Sequence, residues 1–194
     1  MSDAVPRLMD ADEFLVWCLD QEDTWELVDG VPTLKFDNGP KMMAGGTRRH
    51  ARVTSNLIAR LDQKLTGGPC APYPGDLAVR VSHRRIRRPD VSVDCTAGDG
   101  DDLEAAEPRV LFEVLSPSTR GIDLVRKSDE YRQLPSVRHI VLIEPDRAKV
   151  LVWSSDGGTW SSETIEGLDA TLELPAIDVS LPLSEIYAGV PFAA

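Results

Sequence analysis

The 194-residue chain is poor in cysteine, histidine and aromatic residues, has no long apolar run, and carries far fewer cations than anions. Its three cysteines, Cys18, Cys70 and Cys95, stand far apart with no C-x-x-C or Cys/His spacing, so neither a disulfide framework nor a structural zinc site is expected. The histidines, His50, His83 and His139, include no H-E-x-x-H pair, and a resident metal would more naturally be a hard cation held by carboxylates. No apolar stretch reaches about 18 residues. The acid-rich opening MSDAVPRLMDADEF lacks an apolar signal-peptide core, so the expectation is a soluble, cytoplasmic protein with no membrane partner. A net charge of −11 argues against capture of nucleic acid by the surface as a whole, since counterion release needs Lys and Arg facing the phosphates.

What is present suits one globular domain: 42% of the residues are hydrophobic, enough for a sizeable core, and the expected domain spans 1–194. Charge is segregated along the chain. Residues 80–88, RVSHRRIRR, hold Arg80, Arg84, Arg85, Arg87 and Arg88, whereas 94–107 hold six acids. The basic run reads either as a solvated hairpin tip or as a local phosphate-contacting face.

Asp10 with Glu13 forms a capping-box pattern ahead of a helix over 11–19, and Asp29-Gly30 punctuates a hairpin in WELVDGVPTLKF. His50, Val53, Leu57, Leu61 and Leu65 mark the buried stripe of a helix over 49–65. Leu77, Val79 and Val81 alternate as a strand, SHRRIRRPD reads as a turn, and PDVSVD and RVLFEV read as further strands. A helix over about 120–134, capped by Ser118 or Thr119, precedes the strand HIVLIEP and the strands KVLVWS and WSSETI. The tail LELPAIDVSLPLSEIYAGV reads as short strand, turn and a last helical turn. The order predicts an α/β or α+β domain with a mixed central sheet.

Within RVLFEVLSPSTR, Glu113 interrupts an apolar strand, flanked on its own face by Leu111 and Leu115, where an unpaired ionised acid is expensive. Asp90 opens the preceding strand. If those strands pair, the two carboxylates converge on one end of the sheet and hold a hard divalent cation; the plainer alternative is that Asp90 caps a turn and Glu113 lies on a half-exposed face. Lys127 falls on the inward stripe of the following helix, with Asp123, Leu124, Tyr131 and Leu134, where it can stabilise developing charge or form an i, i+4 pair with Asp123. His50 also reads as a satisfied histidine at a helix start.

WELVDG, His50 at a helix opening, RRPDVSV, FEVLSPST, the D-x-x-x-K-x-x-x-Y pattern of Asp123, Lys127 and Tyr131, and IEP at 143–145 follow one another in the order of the Uma-two family. The sequence resembles that family, described as restriction endonucleases of the PD-(D/E)XK nuclease superfamily, over about residues 8–187. The resemblance implies a restriction-endonuclease-like fold in which a mixed sheet is flanked by helices and extra antiparallel strands. It implies a metal-dependent endonuclease in which Asp90 and Glu113 bind Mg²⁺ or Mn²⁺ and Lys127 completes the catalytic set. Glu26, His50, Asp123 and Tyr131 match further positions near the same pocket. The superfamily's lysine two residues after the second acid is Leu115 here, so the resemblance suggests that Lys127 replaces it. Expected partners are nucleic acid, DNA above all, contacted by Arg84, Arg85, Arg87 and Arg88, and a second copy in a homodimer. The competing expectation is a non-catalytic nucleic-acid- or protein-binding module on the same fold.

Overall fold

The first helix begins where its cap dictates. The Glu13 amide donates to the Asp10 side chain at 2.9 Å and Glu13 accepts from the Asp10 amide at 3.4 Å, so both halves of the capping box start α1 (Ala11–Cys18). Asp29 and Gly30 then take φ of 53° and 84°, the paired positive values that let a two-residue turn follow strand twist. They close the antiparallel hairpin of β1 (Trp25–Val28) and β2 (Val31–Leu34). The computed structural model describes residues 8–35, 47–115 and 122–192, and only the backbone of 122–124. The proposed caps Ser118 and Thr119 and the Asp123 side chain lie outside the described residues.

The Thr47 hydroxyl accepts from the His50 amide at 3.3 Å and caps α2 (Arg48–Leu65), whose stripe Val53, Leu57, Leu61 and Leu65 is buried as the spacing requires. The chain continues through β3 (Ala71–Pro74), β4 (Val79–Ser82), β5 (Arg85–Arg87), β6 (Val91–Asp94) and β7 (Pro108–Val114). After β7 come α3 (Ile122–Tyr131), β8 (His139–Glu144), β9 (Lys149–Ser155), β10 (Trp160–Glu166), β11 (Thr171–Leu174), β12 (Val179–Pro182) and the short α4 (Leu183–Ile186).

A six-stranded sheet runs β10-β9-β8-β7-β6-β3; β7 and β8 are parallel, joined through α3, and the other neighbours are antiparallel. A four-stranded sheet, β2-β1-β5-β4, and the pair β11-β12 stand beside it. One face of the large sheet, with Val91, Val93, Val110 and Phe112, packs on the α2 stripe and on α4. Its other face, with Leu111, Leu115 and Ile140, packs on Tyr131 of α3, while Phe14 of α1 meets Leu27 and Ile86 of the small sheet. This is the mixed α+β arrangement that the sequence predicts. Among the described residues no helix is long and apolar enough to cross a membrane.

Three features depart from the sequence reading. Arg85–Arg87, read as a turn, is a strand, because Ile86 inserts beside Leu27 and the arginines on either side find acids. Ala71–Pro74 is also a strand; its prolines hid it, but it lies at the edge of the sheet, where a missing N–H is tolerated. Cys70 and Cys95 are bonded, with sulfurs 2.01 Å apart. The β3–β6 register pairs Ala71 with Asp94 and so brings the two cysteines, one step farther out, into opposition.

His139 is buried on β8, its Nδ1 3.0 Å from Ser154 Oγ and its Nε2 accepting from the Ala176 amide at 3.4 Å. Burial disfavours the imidazolium and lowers its pKa to about 4. The unfolded chain, with an imidazole pKa of about 6.5, binds this proton first as the pH falls. The His139 contribution to stability is therefore complete above pH ~6.5 and is lost as the pH falls toward 4, with a slope of at most about 1.4 kcal/mol per pH unit. Urea unfolding of wild type and His139→Gln across that window is expected to show a shallower fall in the variant. Equal slopes would remove His139 as the cause.

Candidate active site

Strand register builds the site. On β6 and β7, Val91 lies opposite Phe112 and Ser92 opposite Leu111, and one further step in the same register sets Asp90 opposite Glu113. Both carboxylates are buried, 8% and 7% exposed. Side chains alternate along a strand, so Glu113 shares the α3-facing side with Leu111 while Val110 and Phe112 face α2.

Asp90 is heavily partnered. Lys35 Nζ donates to Oδ1 at 2.9 Å, and Oδ2 accepts from the Val114 amide at 2.8 Å with His50 Nε2 3.2 Å away. Burial pushes the Asp90 pKa up, but the His50 hydrogen bond and the Lys35 charge outweigh it and hold the group well below the usual carboxylate range. Lys35 reaches the site because the hairpin continues one pair beyond its strands, the Lys35 amide donating to Thr24 at 2.9 Å.

Glu113 accepts from the Tyr131 hydroxyl at 2.7 Å and lies 3.7 Å from Lys127 Nζ. Its pKa is raised: burial is the main cause, Lys127 opposes it, and the Asp90 charge adds to the rise. Lys127 is buried and donates to Glu26 Oε1 at 3.1 Å, closer than its approach to Glu113. Burial alone would favour neutral Lys127, yet the charges of Glu113 and Glu26 raise its pKa and keep it an ammonium. Tyr131, with no exposed surface, has a pKa far above the ordinary phenol value through burial and Glu113's charge, and so remains a donor.

The arginines of 84–88 take different places. Arg87 forms a buried fork: Nη1 donates to Glu26 at 2.7 Å, and Nε and Nη2 donate to Glu130 at 2.7 and 3.0 Å. Arg88 turns inward to the carbonyls of Trp25 and Asp76, and its amide donates to Glu26. Arg85 pairs with Asp29 and lies 3.4 Å from Glu130. Arg84 is exposed, and among the described residues no acid pairs with its guanidinium. Glu26 therefore serves Lys127, Arg87 and the Arg88 amide together. Burial works to raise its pKa, but Lys127 and Arg87 prevail and lower it.

A family model described as "Putative restriction endonuclease", Uma2, matches residues 11–184. The chain belongs to the Uma2 family. An uncharacterized protein of Synechocystis sp. is 30% identical over 160 residues, which is 81% of this chain and 84% of that protein. The crystal structure of a "putative nuclease belonging to DUF820" from Anabaena variabilis is similar with a TM-score of 0.66 and 19% identity, covering 93% of this chain and 98% of that one. At that identity the likeness establishes the fold, which is the restriction-endonuclease-like one expected from the sequence.

In this Uma2 protein the structure gathers Asp90, Glu113, Lys127, Tyr131, Glu26 and His50 into one cluster of facing and hydrogen-bonded side chains. Among the described residues no three His, Cys, Asp or Glu side chains form a ready metal cluster. The donor set is instead two facing carboxylates, and this fits Mg²⁺ or Mn²⁺, since Mg²⁺ is commonly held by one or two carboxylates and keeps several waters. Sequence reasoning missed Lys35 and Glu130. Lys35 is 55 residues from Asp90 and carries no motif; Glu130 was visible as the i+4 partner of Arg126, to which it lies 3.1 Å away.

Removing Arg87 would leave Glu26 and Glu130 buried without their shared cation. Arg87→Ala is expected to cost about 3–5 kcal/mol in urea unfolding, while Arg84→Ala stays within about 0.5 kcal/mol. Similar midpoints for the two variants would contradict the buried fork.

Proposed function

We propose that this Uma2 protein is a metal-dependent endonuclease that hydrolyses nucleic-acid phosphodiesters, with Asp90 and Glu113 as metal ligands and Lys127 as the catalytic cation. The observation that carries the reading is the opposition of Asp90 and Glu113 across β6 and β7, with the Lys127 ammonium 3.7 Å from Glu113. A bound Mg²⁺ or Mn²⁺ would supply Lewis-acid charge at the phosphate and acidify a water molecule. The chain's own groups do the rest. His50 and the Val114 amide hold the Asp90 carboxylate in place, and Tyr131 fixes Glu113 through its hydroxyl. Lys127, kept cationic by its two acids, stabilises negative charge that grows on the phosphate. Arg84, the exposed member of the basic run, contacts the nucleic-acid backbone, whereas Arg87 and Arg88 turn inward to Glu26 and the Trp25 carbonyl and Arg85 pairs with Asp29. The whole chain, 1–194, acts as one nuclease-like domain. Cutting both strands of DNA takes two such sites, for which a two-fold dimer is the simplest arrangement.

One observation favours a second reading, a nucleic-acid-binding module without catalysis. Leu115 occupies the place of the superfamily's lysine, and the nearer partner of Lys127 is Glu26. Incubation of plasmid DNA and single-stranded RNA with the full chain and Mn²⁺ separates the two. Cleavage is expected in wild type, lowered by about 10²–10³-fold in Glu113→Ala and Lys127→Ala. DNA binding that persists with no cleavage by any preparation would establish the module instead.

A further inference from the structure

Lys35 lies against the proposed cation site and is no part of the motifs that carry the family resemblance. Its side chain is 7% exposed and its ammonium rests on Asp90 Oδ1. Its charge also reaches Glu113, easing that acid's ionisation. The slot is kept open by a glycine: a Cβ on Gly75 would come within 3.0 Å of Lys35 Nζ and 3.1 Å of the Pro89 carbonyl. Of the two Asp90 oxygens, Oδ2 already faces the Val114 amide and His50 Nε2, whereas Oδ1 faces Lys35. An incoming divalent cation thus finds its most open Asp90 oxygen covered by an ammonium, and the two positive charges repel at that separation.

Resting on the reading of Asp90 and Glu113 as cation ligands, we propose that Lys35 is the resident counter-ion of that site, which a divalent cation must displace from Asp90 before it binds. Lys35 then sets the cation affinity as a positioning residue, because only the fraction of molecules with the amine withdrawn is competent to bind. The exchange is one of charges: the ammonium leaves Oδ1 with its proton, the metal takes its place, and the displaced ammonium remains beside the site, tethered by the pairing of its backbone with Thr24.

Calorimetric titration of Mn²⁺ into the full chain tests this directly. Lys35→Gln is expected to bind Mn²⁺ about tenfold more tightly than wild type, the gain that follows if the competent fraction is about one tenth. Lys35→Arg, which retains the charge, is expected to stay within about threefold of wild type on the same argument. Gly75→Ala, which crowds the amine out of its slot without touching its charge, is expected to tighten binding as Lys35→Gln does, and serves if Lys35→Gln does not fold. Unchanged or weaker affinity in the folded Lys35→Gln and Gly75→Ala proteins, with Asp90→Asn still abolishing binding, overturns the counter-ion role and leaves the metal site standing. Absence of Mn²⁺ binding in wild type, Lys35→Gln and Asp90→Asn alike overturns both.

Discussion

Two carboxylates that face one another inside a protein are the constraint around which this molecule is arranged. Each buried acid is costly alone, and each makes its neighbour harder to ionise. The raised pKa of Glu113 is the visible sign of that conflict, and the lowered one of Asp90 shows how it is relieved. Relief comes from different parts of the chain: Lys35 after β2, His50 in the first turn of α2, Lys127 and Tyr131 on α3. Arg87 on β5 then neutralises Glu26, the acid that holds Lys127, together with Glu130.

The fold supplies the directions from which those groups arrive. The parallel pair β7–β8 obliges the chain to cross the sheet, and the crossing helix α3 lies on the face from which Glu113 projects. The inward turn of α3 carries Lys127, Glu130 and Tyr131 at i, i+3 and i+4, so one helical face delivers the cation, an acid and the phenol. On the opposite face α2 packs its apolar stripe on the sheet, and the Thr47 cap fixes where that helix starts and hence where His50 stands at the end of β6.

Most of this scaffold is legible in the residues because the local signals agree with the tertiary outcome. The Asp10–Glu13 box, the Asp29-Gly30 turn and the stripe of one valine and three leucines on α2 each form as their pattern dictates. Glu113 and Lys127 were readable as oddities, a charge where burial was expected. The remainder depended on contacts distant in sequence. Nothing near Lys35 announces Asp90, and the Cys70–Cys95 bond follows from the register of β3 on β6. The basic run misled for a physical reason: a string of arginines reads as solvated surface, but alternation around Ile86 turns Arg87 inward to buried acids. Composition alone carries no trace of that choice.

The β1–β2 hairpin acts on both lysines of the site from its open end, away from the Asp29-Gly30 turn. Glu26 on β1 grips Lys127, and Lys35, paired through its backbone with Thr24, carries its own amine to Asp90. The two grips sit on one small body, the hairpin, tethered through the Arg87 fork. A tilt of that body would shift the charge on both sides of the carboxylate pair in a single movement, so the hairpin works as a common yoke for the two cations.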